Sequence, residues 1–397
     1  MAVANLEPGR PPVNKVSPTQ WIKQNLFSTW YNYILTAFSL YLIYWVASNL
    51  IVWAFSQAQW EVLDANFRLF FVGRYPVKAL WRAWVTLGII VGLAGISWGI
   101  LAHDAARLFN RRILLVLGVA AATCFLVAKL GEIPSSIILV GMLLLLIITA
   151  PIGKQIGNRF PDVGGWLPLL WLLAFSFNIW LLLNGNNVRL DRVSGLMLTI
   201  PVAIASIVLC FPFGVLLALG RQSKLPVIRW LSIAYIELVR GVPLITIIFM
   251  AQVMLPLVLP PDVRLDRIIR AIAGFTIYSA AYLAENVRGG LQSIPRGQTE
   301  AAKALGLNSV YTLWFIILPQ ALKTVIPSMV GQFISLFKDT SLLAIVGLTD
   351  LLGMSQSIIA NPKYLGRYGE VYLFVAVIYF ICCYAMSLAS RRLERKP

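Results

Sequence analysis

Long apolar runs, separated by short polar segments, recur along the whole chain. Runs of roughly 18–20 residues match the ~30 Å hydrocarbon core of a bilayer when they are helical. We predict an all-α, polytopic membrane protein of about ten transmembrane helices. The predicted spans are 33–55, 83–102, 113–130, 135–152, 166–184, 194–219, 243–259, 268–288, 322–337 and 371–389. The span 135–152 is the weakest, because it is short and Pro151 ends it.

A polar, turn-rich cluster at Asn184-Gly185-Asn186-Asn187 divides the chain. The five predicted spans before it are rich in Trp and Leu and carry no recognisable chemistry. Nearly every polar feature of interest follows it. We therefore predict an N-terminal accessory transmembrane region, residues 1–187, and a core, residues 188–397.

Composition supports a membrane class and excludes several others. The chain has 397 residues, of which 59% are hydrophobic and only 12% charged, against about 25% charged in soluble domains. The net charge of +17 is scattered as short-loop pairs such as Arg111-Arg112 and Arg391-Arg392. This distribution fits membrane topology and lipid headgroups better than a nucleic-acid-binding face. The positive-inside rule favours cytoplasmic N- and C-termini, although outer loops also carry arginines.

The sequence offers little chemistry for an enzyme or a metal site. The four cysteines (Cys124, Cys210, Cys382 and Cys383) lie in apolar runs without metal-ligand spacing, and His103 is the single histidine. The phosphate-binding pattern G-x-x-x-x-G-K-[ST] is absent, so we expect this chain neither to hydrolyse ATP nor to bind a cofactor or metal itself.

One polar segment contains a motif with fixed spacing: Glu300-Ala301-Ala302-x₃-Gly306-x₉-Ile316-x-Leu318-Pro319. Thr299 is expected to cap a helix that begins at Glu300, whose charge suits a helix N-terminus. Gly306 is expected to end this helix, and Asn308 or Ser309 to start the next. The pattern predicts a short helix, a sharp turn and a second helix at the cytoplasmic surface, with Pro319 marking re-entry into the membrane.

This segment resembles the EAA loop of ABC-importer permeases, the element that docks into the ATPase subunit. The resemblance implies a coupling loop at about 290–319, with Glu300, Ala301, Ala302, Gly306, Leu318 and Pro319 as the coupling residues. Segments 238–244, 284–290, 294–298 and 338–342 are similar to the polar amino-acid uptake subfamily. With its added hydrophobic N-terminal region, the chain resembles the AapM/BztC-type permease subunits of general L-amino-acid importers.

The same resemblance implies a set of partners in a bacterial inner membrane. These are an ABC ATPase dimer at the cytoplasmic face that carries ATP and Mg²⁺, a second homologous permease, and an extracytoplasmic amino-acid-binding protein. Membrane lipids are further partners, and no nucleic acid is expected.

Two polar features are candidates for the translocation pathway. The sequence Arg240-Gly241-Val242-Pro243 interrupts a helical stretch too long for one straight span, either as a bend that lines the pathway or as a helix boundary at the membrane surface. The segment Lys338-Asp339-Thr340-Ser341 follows an apolar span. Its two charges could pair with each other, meet a zwitterionic substrate, or serve gating or structure. Gln252 and Gln332 are weaker candidates.

Glu285 and Arg288 lie near the cytoplasmic end of their predicted span, and we interpret them as a local ion pair.

Two other classes of function remain to be weighed. A secondary transporter commonly shows inverted repeats and intramembrane carboxylates or histidines, yet the halves of this chain differ and acids are scarce. An integral-membrane enzyme would need a cluster of His, Asp or Glu that the sequence does not supply.

Overall fold

A computed structural model describes residues 17–101, 117–118, 133–160, 162–184, 192–260, 262–263 and 265–394. The chain forms two compact units, residues 1–59 and 60–397. In the first unit, α1 (Pro18–Leu26) begins at Ser17, whose hydroxyl accepts a hydrogen bond from the backbone N–H of Gln20. Helix α2 (Trp30–Val52) continues as a π-helical turn to Gln57. This 28-residue stretch is apolar on all sides, which confirms the predicted first span.

The second unit is built from helices throughout its described residues, apart from one isolated bridge between Gly195 and Asp350. Its helices are α3 (Glu61–Val72), α4 (Leu80–Leu101), α5 (Ile133–Arg159), α6 (Val163–Leu183), α7 (Leu196–Arg221), α8 (Pro226–Arg240), α9 (Leu244–Val253), α10 (Leu255–Val258), α11 (Arg267–Ser293), α12 (Arg296–Ala304), α13 (Ser309–Tyr311), α14 (Leu318–Asp339), α15 (Leu351–Ile359) and α16 (Tyr368–Glu394).

Seven helices among the described residues are long and apolar enough to cross a membrane, or eight if the bent pair α8–α9 counts as one span. The predicted fold class is confirmed, and the count of ten is approximate. The predicted span 113–130 and His103 lie outside the described residues. Helix α11 contains the predicted span 268–288 but is not one of these seven helices. Many of its residues are buried against neighbouring helices, which allows it to carry charged residues.

Three predicted boundaries were wrong, and prolines are involved in each. Helix α5 runs through Pro151 to Arg159, because a membrane helix tolerates proline where neighbouring groups satisfy the freed carbonyl. The predicted span 243–259 breaks at Met254, just before Pro256, so α9 has only ten residues, about 15 Å. The predicted span 322–337 belongs to a helical stretch of 36 residues, Ser309–Ala344, that passes through Pro319.

Helices α4 and α5 form the closest pair in the N-terminal part of this unit, and they run in the same direction. A Cβ atom at Gly95 would lie 1.9 Å from Thr149 Oγ1, and one at Gly99 would lie 2.0 Å from the carbonyl oxygen of Ala150. Only glycine permits this approach. The pair follows the rule that small residues bring membrane helices together.

Helix α11 lies at the centre of the core and packs against α7, α8, α9 and α14. Helix α3, from the predicted accessory region, also packs on the core, against α7, α15 and α16. The ring centroids of Phe70 and Phe374 are 5.0 Å apart there, and Lys363 Nζ lies 3.1 Å from Glu61 Oε1. The division at residues 187 and 188 stays a prediction.

Asp350 precedes α15, between the last two spans, and its carboxylate is fully buried. It caps the helix by accepting hydrogen bonds from the backbone N–H groups of Gly353 (2.8 Å) and Leu352 (3.2 Å). Burial raises the pKa of Asp350 to about 6, and these hydrogen bonds act in the opposite direction.

Candidate functional site

The segment that contains the Glu300–Pro319 motif folds as a helix, a turn and a second helix, as predicted. Its first helix, α12, begins at Arg296 after Pro295, not at Glu300, and no side chain caps it. The expected cap at Thr299 is therefore wrong. Proline has a fixed φ suited to a helix start and needs no hydrogen-bond acceptor for its nitrogen, so it begins the helix earlier. Glu300 and Ala301 lie exposed on this helix, and Ala302 is buried.

Gly306 ends α12 through a left-handed turn with φ of +77°. The backbone N–H of Gly306 donates to the carbonyl of Lys303 at 2.9 Å, and that of Leu307 donates to the carbonyl of Ala302 at 3.1 Å. This pair of hydrogen bonds is the Schellman motif, which satisfies carbonyls at the helix end. Asn308 caps the next helix by accepting from the backbone N–H of Tyr311 at 2.9 Å. Both predictions for the turn are confirmed.

The turn carries an exposed apolar surface. Leu305 is 80% exposed and Phe315 is 73% exposed, and neighbouring side chains share this exposure: Val310, Tyr311 and Trp314. We name this set, with Leu305 and Phe315, the loop surface. Where such an exposed apolar surface extends beyond the bilayer, it is typical of a protein-docking site.

Leu318 and Pro319 connect the loop to the core. Leu318 is buried in one apolar cluster with Val287 and Leu291 of α11 and Ala321 of α14. Pro319 lies exposed at the start of α14, where the π-helical turn Thr312–Ile317 passes into the α-helix. The helical stretch Ser309–Ala344 is about 54 Å long, against a hydrocarbon core of ~30 Å. Its first turns can therefore project beyond the membrane while its remainder is fixed in the core.

A cluster of charged side chains lies at the same end of the core. Glu285 is at its centre, with 16% of its side chain exposed. Its Oε1 lies 2.7 Å from Arg221 Nη1, and its Oε2 lies 2.8 Å from Arg288 Nη2 and 3.7 Å from Arg240 Nη1. Arg221 also pairs with Glu237 at 3.0 Å. We name these five residues the Glu285 cluster.

The Glu285 cluster ties three helices together. Arg221 ends α7, Glu237 and Arg240 belong to α8, and Glu285 and Arg288 belong to α11. The local pair of Glu285 with Arg288 was expected from the sequence. Arg221 and Glu237 were not, because they lie 64 and 48 residues from Glu285 (285 − 221; 285 − 237) and no local spacing signals the contact. Three arginines face two glutamates, so the cluster keeps a net positive charge.

The predicted break at Arg240–Pro243 is a sharp bend of 103° between α8 and α9. Gly241 and Val242 form the turn, and Pro243 starts α9. Arg240 lies 5.5 Å from the ring centroid of Tyr282 in addition to its contact with Glu285. The arginine therefore joins the bend to α11, and a role in the pathway stays a prediction.

No side-chain hydrogen bond or ion pair joins the other pathway candidates to one another in the described part of the chain. Gln252 is buried and donates from Nε2 to the carbonyl of Arg267 at 2.7 Å. Gln332 is half-buried on α14.

Lys338 is exposed and Asp339 is half-buried, and no ion pair joins them within these described residues. Thr340 is fully buried and donates to the carbonyl of Phe337, and Ser341 is half-buried. In the described part of the chain, no group of three or more His, Cys, Asp or Glu side chains could hold a metal ion.

Comparison with known proteins places the chain among transport proteins. The family described as binding-protein-dependent transport system inner membrane component matches residues 210–397. The inner membrane amino-acid ABC transporter permease protein YhdY of Escherichia coli is 35% identical over 399 residues, covering 95% of this chain and 92% of that protein. The glutamate/glutamine/aspartate/asparagine transport system permease protein BztC of Rhodobacter capsulatus is 35% identical over 426 residues, covering 98% and 96%.

A solved structure, the crystal structure of an amino acid ABC transporter with histidines, is 28% identical with a TM-score of 0.46, covering 51% of this chain and 91% of that one. The match to YhdY and BztC spans nearly the whole length of each protein and includes the N-terminal region outside the family match. The resemblance inferred from the motifs is thereby confirmed. The chain belongs to the binding-protein-dependent inner membrane components, the permeases of ABC transporters.

Proposed function

We propose that this chain is a transmembrane permease subunit of an ABC importer for polar or general L-amino acids. It forms part of the translocation pathway and receives force from a separate ATPase dimer that binds ATP and Mg²⁺. A second, homologous permease and an extracytoplasmic amino-acid-binding protein complete the importer. The chain lies in the bacterial inner membrane with both termini in the cytoplasm, and it has no enzymatic activity of its own.

The observation that carries this proposal is the loop surface, which begins at the end of α12 and continues through α13 into the π-helical turn. It is apolar and exposed, and Leu318 fixes it to the same cluster that holds α11. A partner bound there can displace the core without entering the membrane. The relatives YhdY and BztC are both named as transport permeases for amino acids, which supports the substrate class.

Charge substitution on the loop surface tests the proposed coupling. Leu305→Glu changes a side chain that is 80% exposed, so the fold is expected to remain intact. Leu365→Glu is a matched control, because this leucine is 67% exposed in the loop before α16 and does not belong to the loop surface. The assay reconstitutes the chain with its co-expressed partners and measures ATPase retention on purification and ATP-driven uptake of labelled amino acids.

We expect Leu305→Glu to lose the ATPase and the uptake together, and Leu365→Glu to keep the ATPase. Equal ATPase retention in both variants would refute docking at the loop surface. A secondary transporter would behave differently, because the purified chain alone would accumulate amino acids under a proton gradient without ATP.

A further inference from the structure

An apolar groove of about 920 Å³ opens on the side of the N-terminal helices α4, α5 and α6. It lies far from the Glu285 cluster and the loop surface along the chain, and the proposed coupling does not use it. Its walls are almost entirely apolar and include Trp81, Trp84, Gly88, Gly92, Met142 and Leu145.

Two of the glycines that line the groove make no close contact with the backbone of α5. A Cβ atom at Gly88 would lie 3.5 Å from Met142 Cε, and one at Gly92 would lie 3.8 Å from Leu145 Cδ2. These are ordinary van der Waals distances. Gly95 and Gly99, on the same helix, would clash at about half these distances. One part of the glycine stripe therefore closes the α4–α5 pair, and the other leaves the space open.

A basic end continues the same face of α4. On α4, Trp81, Val85, Gly88 and Gly92 follow one another at spacings of three and four residues, which places them on one side of the helix. Lys78 lies in the 3-10 turn Val77–Ala79 that leads directly into α4. Lys78 is exposed and makes no ion pair with a described residue. The guanidinium of Arg82 lies 5.4 Å from the ring centroid of Trp81. Tryptophan beside basic residues is typical of the level of lipid headgroups.

The occupant must therefore combine hydrocarbon with a negative charge at one end. A phospholipid does, whereas an apolar helix of a partner would need neither Lys78 nor Arg82 beside it. The apolar face from Trp81 to Ile96 is about 22 Å long, which suits an acyl chain extended along the bilayer normal. Arg82 also donates to the carbonyl of Asn184, so its position at the end of α6 is fixed.

We propose that this groove is a binding site for an anionic phospholipid. Its acyl chain lies along Gly88 and Gly92, and its phosphate contacts Lys78 and Arg82 in the leaflet opposite the loop surface. A single cation near a membrane surface is expected to contribute about a fivefold preference for an anionic headgroup.

Five substitutions test the two parts of the site separately. Gly88→Leu and Gly92→Leu are designed to fill the groove, because a Cβ atom at either position lies at an ordinary van der Waals distance from α5. Gly141→Leu is the matched control, because its Cβ would meet nothing within 4 Å, it is exposed on α5, and it does not line the groove. Lys78→Gln removes the charge, and Lys78→Arg restores it.

The experiment delipidates the purified full chain and titrates it with palmitoyl-oleoyl phosphatidylglycerol or the phosphatidylcholine of the same chains, counting bound lipids by native mass spectrometry. We expect wild type to favour phosphatidylglycerol. Groove filling should reduce binding of both lipids, and Lys78→Gln should lower the preference about fivefold while Lys78→Arg retains it. Thermal unfolding of each variant checks the fold.

Equal binding of the two lipids by the wild type, or equal loss in Gly141→Leu and Gly88→Leu, would mean unspecific boundary lipid and would overturn the proposal. Unchanged lipid binding with weakened association of the second permease would instead assign the groove to a protein helix, and would also overturn it. The test measures lipid binding and does not use ATP-driven uptake, so its outcome is independent of the proposed function.

Discussion

The left-handed turn at Gly306 offers the sharpest test of the proposed coupling loop. Its φ of +77° favours glycine, and a Cβ added there meets nothing within 4 Å. Substitution therefore changes the backbone energy and leaves packing untouched. A residue with a side chain costs about 1–2 kcal/mol in this conformation, so alanine should lower the population of the native turn by a factor of about 5–30.

The loss of coupling caused by each substitution at Gly306 should follow the energy that the new residue needs to adopt the left-handed conformation. Asparagine tolerates it best, alanine less, and a β-branched valine least among residues that can still adopt it. Proline cannot adopt a positive φ, and it also removes the N–H that donates to the carbonyl of Lys303. We expect coupling to fall in the order glycine, asparagine, alanine, valine, proline.

The assay reconstitutes each Gly306 variant with its partner subunits in proteoliposomes and measures ATP hydrolysed for each amino acid imported. Membrane insertion and thermal unfolding should remain near wild type, because the turn is exposed and local. Gly297→Ala is the control, since Gly297 lies on the same helix α12 in open space without a positive φ. Normal transport by Gly306→Pro, or a loss as large in Gly297→Ala, would refute the role assigned to the turn.

Three further predictions concern single carboxylates. Glu285→Gln should lower the free energy of unfolding by about 2–3 kcal/mol, because the neutral amide loses its charge-assisted contacts with Arg221 and Arg288. Glu237→Gln changes a side chain that is 56% exposed and should lower the free energy of unfolding by less than about 1 kcal/mol. Equal denaturant midpoints for the two variants would contradict this prediction. Asp339→Asn should reduce uptake, and unchanged kinetics would remove the pathway role proposed for that residue. The Asp350 carboxyl has a pKa of about 6 in the folded protein, above its usual value of 3.8. The folded protein therefore binds this proton more tightly than the unfolded chain does. The stability that results is complete below about pH 4 and is lost as the pH rises through 6. The Tm of wild type should therefore fall between pH 4.5 and 7 relative to that of Asp350→Asn, and parallel curves would show that this carboxyl does not titrate there.

Features set by neighbouring residues could be predicted from the sequence. The length of an apolar run fixes whether a helix can cross a bilayer, so most spans were found. The turn at Gly306 was found because helix ends use local hydrogen bonds and a glycine-favoured conformation. The start of α12 was misplaced, since a threonine and a glutamate looked like a cap while Pro295 already supplied a helix start.

Features set by packing between distant segments could not be predicted. The spacing of Glu285 and Arg288 shows their i,i+3 pair, but Arg221 reaches Glu285 only because α7 packs along α11. The packing of the glycines of α4 could not be predicted either, because Gly88 and Gly95 look equivalent in the sequence. One lines an open groove, and the other touches Thr149 closely.

These distant contacts suggest how a displacement at the loop surface would reach the bend at Gly241. Leu318 and Val287 share one apolar cluster, so α14 and α11 are expected to move together at this end. Glu285 then holds Arg240, the last residue of α8, by opposite charge. Beyond Arg240 the chain turns by 103° and the run of helical hydrogen bonds is interrupted, so we expect this bend to yield more readily than a continuous helix. A force applied to the loop surface should therefore open the angle at Gly241 before it distorts α11.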